Sequence, residues 1–82
     1  MKTASVVIAG HDHVGIIAEV SKLLTRFSVN IRDISQTVMG NHFTMVILLD
    51  MEECTIPLED LKEHLKDLGD EMNLSVRMQL SK

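Results

Sequence analysis

The chain has 82 residues, enough for one domain, with 45% hydrophobic residues and a formal net charge of -4. A domain of this size buries only roughly 60–65% of the surface that its unfolded chain exposes, so self-association would help its small core. Only two Phe and no Tyr or Trp are present, and the Lys and Arg residues are scattered, which argues against binding to nucleic acid. A single cysteine, no secretory leader and no apolar run of about 20 residues predict a cytoplasmic protein without a membrane segment.

The first half of the sequence predicts a strand, a helix and a second strand. Residues 3–9 are rich in β-branched side chains, which favours a strand. From Val14 to about Phe27 the apolar residues follow a helical period. The predicted buried face of this helix is formed by Ile16, Ile17, Val20, Leu23, Leu24 and Phe27. Residues 30–39 read as a second strand, with a bulge near Arg32-Asp33 because the apolar residues change parity there.

The second half predicts a hairpin, a second helix and a last strand. Gly40-Asn41 favours a tight turn into a third strand over residues 42–50. Pro57 suits the first turn of a helix, and Gly69 suits the position just past its end. The apolar stripe of this helix is formed by Leu58, Leu61, Leu65 and Leu68. A short loop then leads into an alternating strand over residues 74–80.

The element order βαββαβ predicts an α+β fold. It is typical of the ferredoxin-like sandwich, in which two helices cover one face of a four-stranded antiparallel sheet. The third strand carries apolar residues on both faces, including Val46 and Leu48. Because two helices cover only one face, the other face or an edge of the sheet is expected to meet a second copy of the chain.

The junction between the first strand and the first helix is the strongest functional signal. The strand stops at Gly10, and a polar loop leads into the helix. Backbone N–H groups at the start of a helix attract carboxylates and phosphates. Asp12 is placed to cap the helix by accepting a hydrogen bond from a first-turn amide. Gly15 serves either close approach of a ligand or tight packing of helix on sheet, and both are compatible.

Other chemistry finds little support in the sequence. Gly10 and Gly15 have the spacing of a phosphate-binding P-loop, but Ile16-Ile17 stands where Lys and Ser or Thr are required. We therefore expect no cofactor and no catalytic residues. His11, Asp12 and His13 offer side chains that suit a transition metal, although adjacent residues alone do not fix a complete ligand set. The plainer interpretation is a capping Asp with both histidines in solvent.

A longer pattern points to a known family. The loop Asp12-x-x-Gly15-Ile16-Ile17-Ala18, followed by Asn30-Ile31 after the helix, resembles the ACT domain, a small-molecule regulatory module of amino-acid metabolism. The resemblance covers residues 1–82 as a single domain. The string from Asn30 to Val38, together with Phe43-Thr44-Met45, is similar to stand-alone bacterial ACT proteins related to the glycine-cleavage repressor.

The resemblance implies a non-enzymatic sensor that pairs side by side with a second copy, forming one continuous sheet. An amino acid or related carboxylate would bind between the two subunits. One subunit would contribute Asp12, His13, Val14, Gly15 and Ile16, and the other would contribute Asn30 and Ile31. Val14 stands where many members have Pro. The output of such a sensor would be another protein. Two alternatives remain open, a metal-binding or enzymatic protein that uses the loop His11-Asp12-His13 and a dimerisation domain without a ligand.

Overall fold

The computed structural model describes residues 2–11 and 15–81 and has the predicted element order βαββαβ. The elements are β1 (Thr3–His11), α1 (Ile16–Arg26), β2 (Asn30–Met39), β3 (His42–Asp50), α2 (Leu58–Met72) and β4 (Ser75–Ser81). The strands form one antiparallel sheet in the order β2-β3-β1-β4. The predicted ferredoxin-like fold is confirmed.

The strand register defines two ends of the sheet. At the first, here called the His11 end, Met39, His42 and His11 lie side by side on three adjacent strands. At the second, here called the Asn30 end, Asn30, Asp50 and Thr3 lie side by side. The nine residues of β3 separate the two ends by roughly 26 Å at the usual rise of a strand.

The core lies between the two helices and one face of the sheet. Alternate strand residues point into it because successive side chains of a strand project to opposite faces. The sheet contributes Ala4, Val6, Ile8, Phe43, Met45, Ile47 and Leu49, and the helices contribute Ile16, Val20, Leu24, Leu61 and Leu65. The other face of the sheet is not covered by a helix, and Val46 on that face is 42% exposed.

Both helices end in the same hydrogen-bonded turn. Ser28 and Asn73 adopt left-handed backbone conformations, with φ of 59° and 60°. The N–H groups of the next residues, Val29 and Leu74, donate to carbonyls five residues earlier, at 2.9 and 2.7 Å. This turn satisfies carbonyl groups that would otherwise have no partner at the helix end. In the described part of the chain, no helix combines the length and apolar content needed to cross a membrane.

Gly69 does not end α2, contrary to the sequence prediction. It is buried inside the helix, which continues to Met72, and Asn73 takes the left-handed position instead. A Cβ atom at Gly69 would lie 2.6 Å from the Val76 Cγ2 atom and 3.0 Å from the Leu74 carbonyl oxygen. Gly69 is therefore required for close approach of α2 to the Leu74–Val76 segment rather than for a turn.

Candidate functional site

Gly15 lies directly before α1. Its φ of 86° and ψ of 7° are left-handed, and it occupies the N-cap position. Because this conformation is not helical, α1 begins at Ile16 rather than at the predicted Val14. The Gly15 carbonyl accepts the N–H of Glu19 at 3.0 Å. The backbone N–H groups in the first turn of α1 have no hydrogen-bond partner within the helix, and they make this end of α1 partly positive.

Asp12, His13 and Val14 lie outside the described residues. Gly15 occupies the N-cap position of α1, and the predicted capping role of Asp12 stays a prediction because Asp12 is not among the described residues. The role of Asp12 as a ligand contact stays a prediction, as do those of His13 and Val14.

The described residues leave the space beside Gly15 open. No described atom outside its chain neighbours lies within 4 Å of the position that a Cβ atom would take. The next residue, Ile16, is only 4% exposed and packs in the core, so it can offer a ligand its backbone N–H but not its side chain. Ile17 was predicted on the buried face and is 40% exposed instead, because the helical register that buries Ile16 and Val20 turns Ile17 outward.

Asn30 and Ile31 lie at the opposite end of the same chain. Asn30 is exposed and is the first residue of β2, while Ile31 is half-buried and packs against the core. α1 runs from Gly15 toward this end over 11 residues, which corresponds to about 16 Å. One chain therefore does not bring the two halves of the predicted site together.

β2 forms one edge of the sheet, since it pairs only with β3. Nine of its ten residues are exposed, and the tenth is Ile31. The register shifts between Ile31 and Asp33, which confirms the predicted bulge. Ile34 and Val38 are paired with buried residues of β3, so they lie on the helix side, yet they remain 38% and 54% exposed. An unpaired edge strand of this kind can hydrogen-bond to another chain.

Two histidines meet at the His11 end of the sheet. His11 is directly opposite His42, and their ring centroids are 4.5 Å apart with the planes inclined by 33°. Sequence reasoning considered His11 with its neighbours and did not connect it to His42. The pairing of β1 with β3 brings them together, because it places the end of β1 beside the start of β3. In residues 2–11 and 15–81, no group of three or more His, Cys, Asp or Glu side chains converges as a metal site.

Comparison with known proteins identifies the family. The family model of the ACT domain matches residues 3–79. A UPF0237 protein of Clostridium acetobutylicum is 38% identical over 76 residues, which cover 93% of this chain and 85% of the relative. An ACT domain protein from Streptococcus pneumoniae has a similar structure, with a TM-score of 0.83 and 30% identity over 96% of this chain and 89% of that protein.

A further structure connects the chain to the group that the sequence resembles. A candidate glycine cleavage system transcriptional repressor matches with a TM-score of 0.82 and 25% identity, covering 99% of this chain and 46% of that one. The fold, the family model and these relatives agree with one another. The chain therefore belongs to the ACT domain family, whose domain is a small-molecule-binding regulatory module.

Proposed function

We propose that two copies of this chain form a sensor that binds an α-amino acid, or a closely related carboxylate, between Gly15 of one subunit and Asn30 of the other. The observation that carries the proposal is the separation of these two residues. Both belong to the family pattern, yet α1 holds them about 16 Å apart in one chain. A ligand of amino-acid size can contact both only if they come from different subunits.

The β2 edge offers a pairing that brings them together. If two β2 strands pair antiparallel about a twofold axis, the first residue of one strand lies beside the last residue of the other. Asn30 of the partner subunit then reaches the His11 end, where Met39 and the start of α1 lie. Pairing through β4 does not achieve this, because β4 is the opposite edge of the sheet.

The exposed apolar residues support the same edge. Partly exposed apolar side chains lie on the helix side of β2, at Ile34 and Val38, and in the first turn of α1, at Ile17. A small domain gains core by covering such residues with a second copy. The backbone of β2 would gain hydrogen-bond partners at the same time.

The open end of α1 suits the carboxylate of the ligand. Its first-turn N–H groups favour a negative charge by about 0.3–1 kcal/mol from the helix dipole alone. The open space beside Gly15 lets the ligand approach the backbone. The Asn30 side chain has an amide that both donates and accepts hydrogen bonds, so it can recognise the ammonium or the carboxylate group.

Calorimetry with untagged protein tests the proposal. Each common amino acid is titrated, and the best binder is compared with its amide derivative, which lacks the carboxylate charge. We expect saturable binding of one amino acid and loss of binding for its amide. If no amino acid or related carboxylate binds to a dimeric protein, the chain is a dimerisation domain without a ligand of this class.

A further inference from the structure

We infer that His11 and His42 form a chelating pair for a divalent transition-metal ion of the class that includes Cu²⁺, Ni²⁺ and Zn²⁺. The pair is distinct from the adjacent triplet His11-Asp12-His13, because its second ligand comes from another strand. It also does not depend on the proposed amino-acid site.

The sheet preorganises this pair. Directly opposite residues of an antiparallel sheet have Cβ atoms about 4.5–5.5 Å apart and project to the same face. His11 and His42 are directly opposite, and their rings already lie 4.5 Å apart. Both residues are exposed on the face of the sheet that no helix covers. The rings therefore have room to rotate until one nitrogen of each points at a common ion.

The distances suit coordination. Zinc–imidazole bonds of about 2.0–2.1 Å place two nitrogens of a tetrahedral ion roughly 3.3 Å apart. Exposed rings whose centroids are 4.5 Å apart can reach this separation by side-chain rotation, without movement of either strand. Neutral imidazole is a common ligand of zinc, copper and nickel, and the usual order of divalent affinities favours copper.

The coordination shell is open. Among the residues that the structure describes, no third His, Cys, Asp or Glu completes a metal-binding group. Water or an external ligand would fill the remaining positions, as in exchangeable sites rather than structural ones. Each histidine should matter strongly, because the second bond of a chelate forms intramolecularly and raises affinity by about 10²–10⁴-fold.

Titration of untagged protein with Cu²⁺ and Zn²⁺ tests the inference. The variants are His11→Gln, His42→Gln, His13→Gln and the matched control His64→Gln, which removes a histidine on α2. We expect one ion per chain in the wild type and a loss of at least about 100-fold in affinity for His11→Gln and for His42→Gln. His13→Gln and His64→Gln should bind as the wild type does.

Nuclear magnetic resonance gives a second readout that does not depend on the variants. Substoichiometric Cu²⁺ should broaden the ring protons of His11 and His42 before those of His64. Circular dichroism of each variant verifies that it is folded. The inference is wrong if the wild type shows no stoichiometric binding, if binding survives His42→Gln, or if His64 broadens first. Amino-acid binding measured on the same variants is a separate result, and its failure would concern only the proposed function.

Discussion

Two substitutions of Gly15 distinguish an effect on ligand access from an effect on the stability of the fold. Gly15→Ala and Gly15→Leu both force an L-residue into a backbone with φ of 86°. Left-handed conformation costs an L-residue about 1–2 kcal/mol, and part of this is offset by the lower entropy of the unfolded chain. We expect a net loss of about 1 kcal/mol in both variants, which lowers Tm by about 4–8 °C in a domain of this size.

The two variants differ only in how much of the open space they fill. The Ala methyl group enters a region with no described atom within 4 Å, whereas the Leu side chain extends into the space proposed for the ligand. A ligand at 100 times its Kd stabilises the wild type by about 2.7 kcal/mol, which raises Tm by more than about 10 °C. We expect Gly15→Ala to keep most of this shift and Gly15→Leu to lose it.

Thermal unfolding with and without the amino acid measures both effects in one experiment. Circular dichroism verifies that the two variants have the same secondary structure as the wild type. The proposed position of the ligand is wrong if folded Gly15→Leu keeps the same ligand-induced shift in Tm as Gly15→Ala. The ligand would then bind elsewhere, and the open space beside Gly15 would have no functional meaning.

Four further substitutions test the interface and the packing. Val38→Lys on β2 should convert the dimer to a monomer, as measured by light scattering, whereas Leu80→Lys at a similarly exposed position on β4 should leave the dimer intact. The opposite result would place the interface at β4. Gly69→Ala should lower the free energy of unfolding by about 1 kcal/mol, because overpacking against Val76 outweighs the gain in helix propensity. A higher free energy of unfolding in a denaturant titration would contradict the close approach of α2 to Val76. Leu61→Ala should cost about 2–5 kcal/mol in the same titration, because Leu61 is fully buried, and a loss below 1 kcal/mol would argue against that packing.

Most of the fold follows from local pattern. The alternation of apolar and polar residues in β3 correctly predicts which residues face the helices. Successive side chains of a strand project to opposite faces, so burying one face fixes which residues lie on it. The parity change in β2 correctly predicts the bulge. Two of the wrong predictions concern glycine. Gly69 was taken as a helix end and Gly15 as part of the first helical turn, since a sequence does not show whether a glycine serves positive φ or close packing.

The site is predictable only in part for a different reason. The spacing of Gly15 and Asn30 indicates a family pattern but carries no information about their separation in space. That separation depends on the direction of α1 and on the register of β2 with β3. The His11–His42 contact likewise depends on the pairing of β1 with β3, which brings together residues far apart in the sequence.

We propose that one binding site combines Gly15 of one subunit with Asn30 of the other. Two variants that each destroy binding, Gly15→Leu and Asn30→Ala, can test it directly in a mixed dimer. Asn30 is exposed, so its truncation should leave the fold intact. As a matched control, Gln79→Ala removes an exposed amide from β4 and should not affect binding.

In a dimer of one Gly15→Leu chain and one Asn30→Ala chain, one site receives both substitutions and the other receives neither. Differently tagged chains are co-expressed, the mixed dimer is purified through both tags, the tags are removed, and the amino acid is titrated by calorimetry. We expect no binding to either homodimer and restored binding at one site per mixed dimer, with wild-type affinity. A mixed dimer that binds no ligand while the wild-type dimer does would contradict a site shared between subunits.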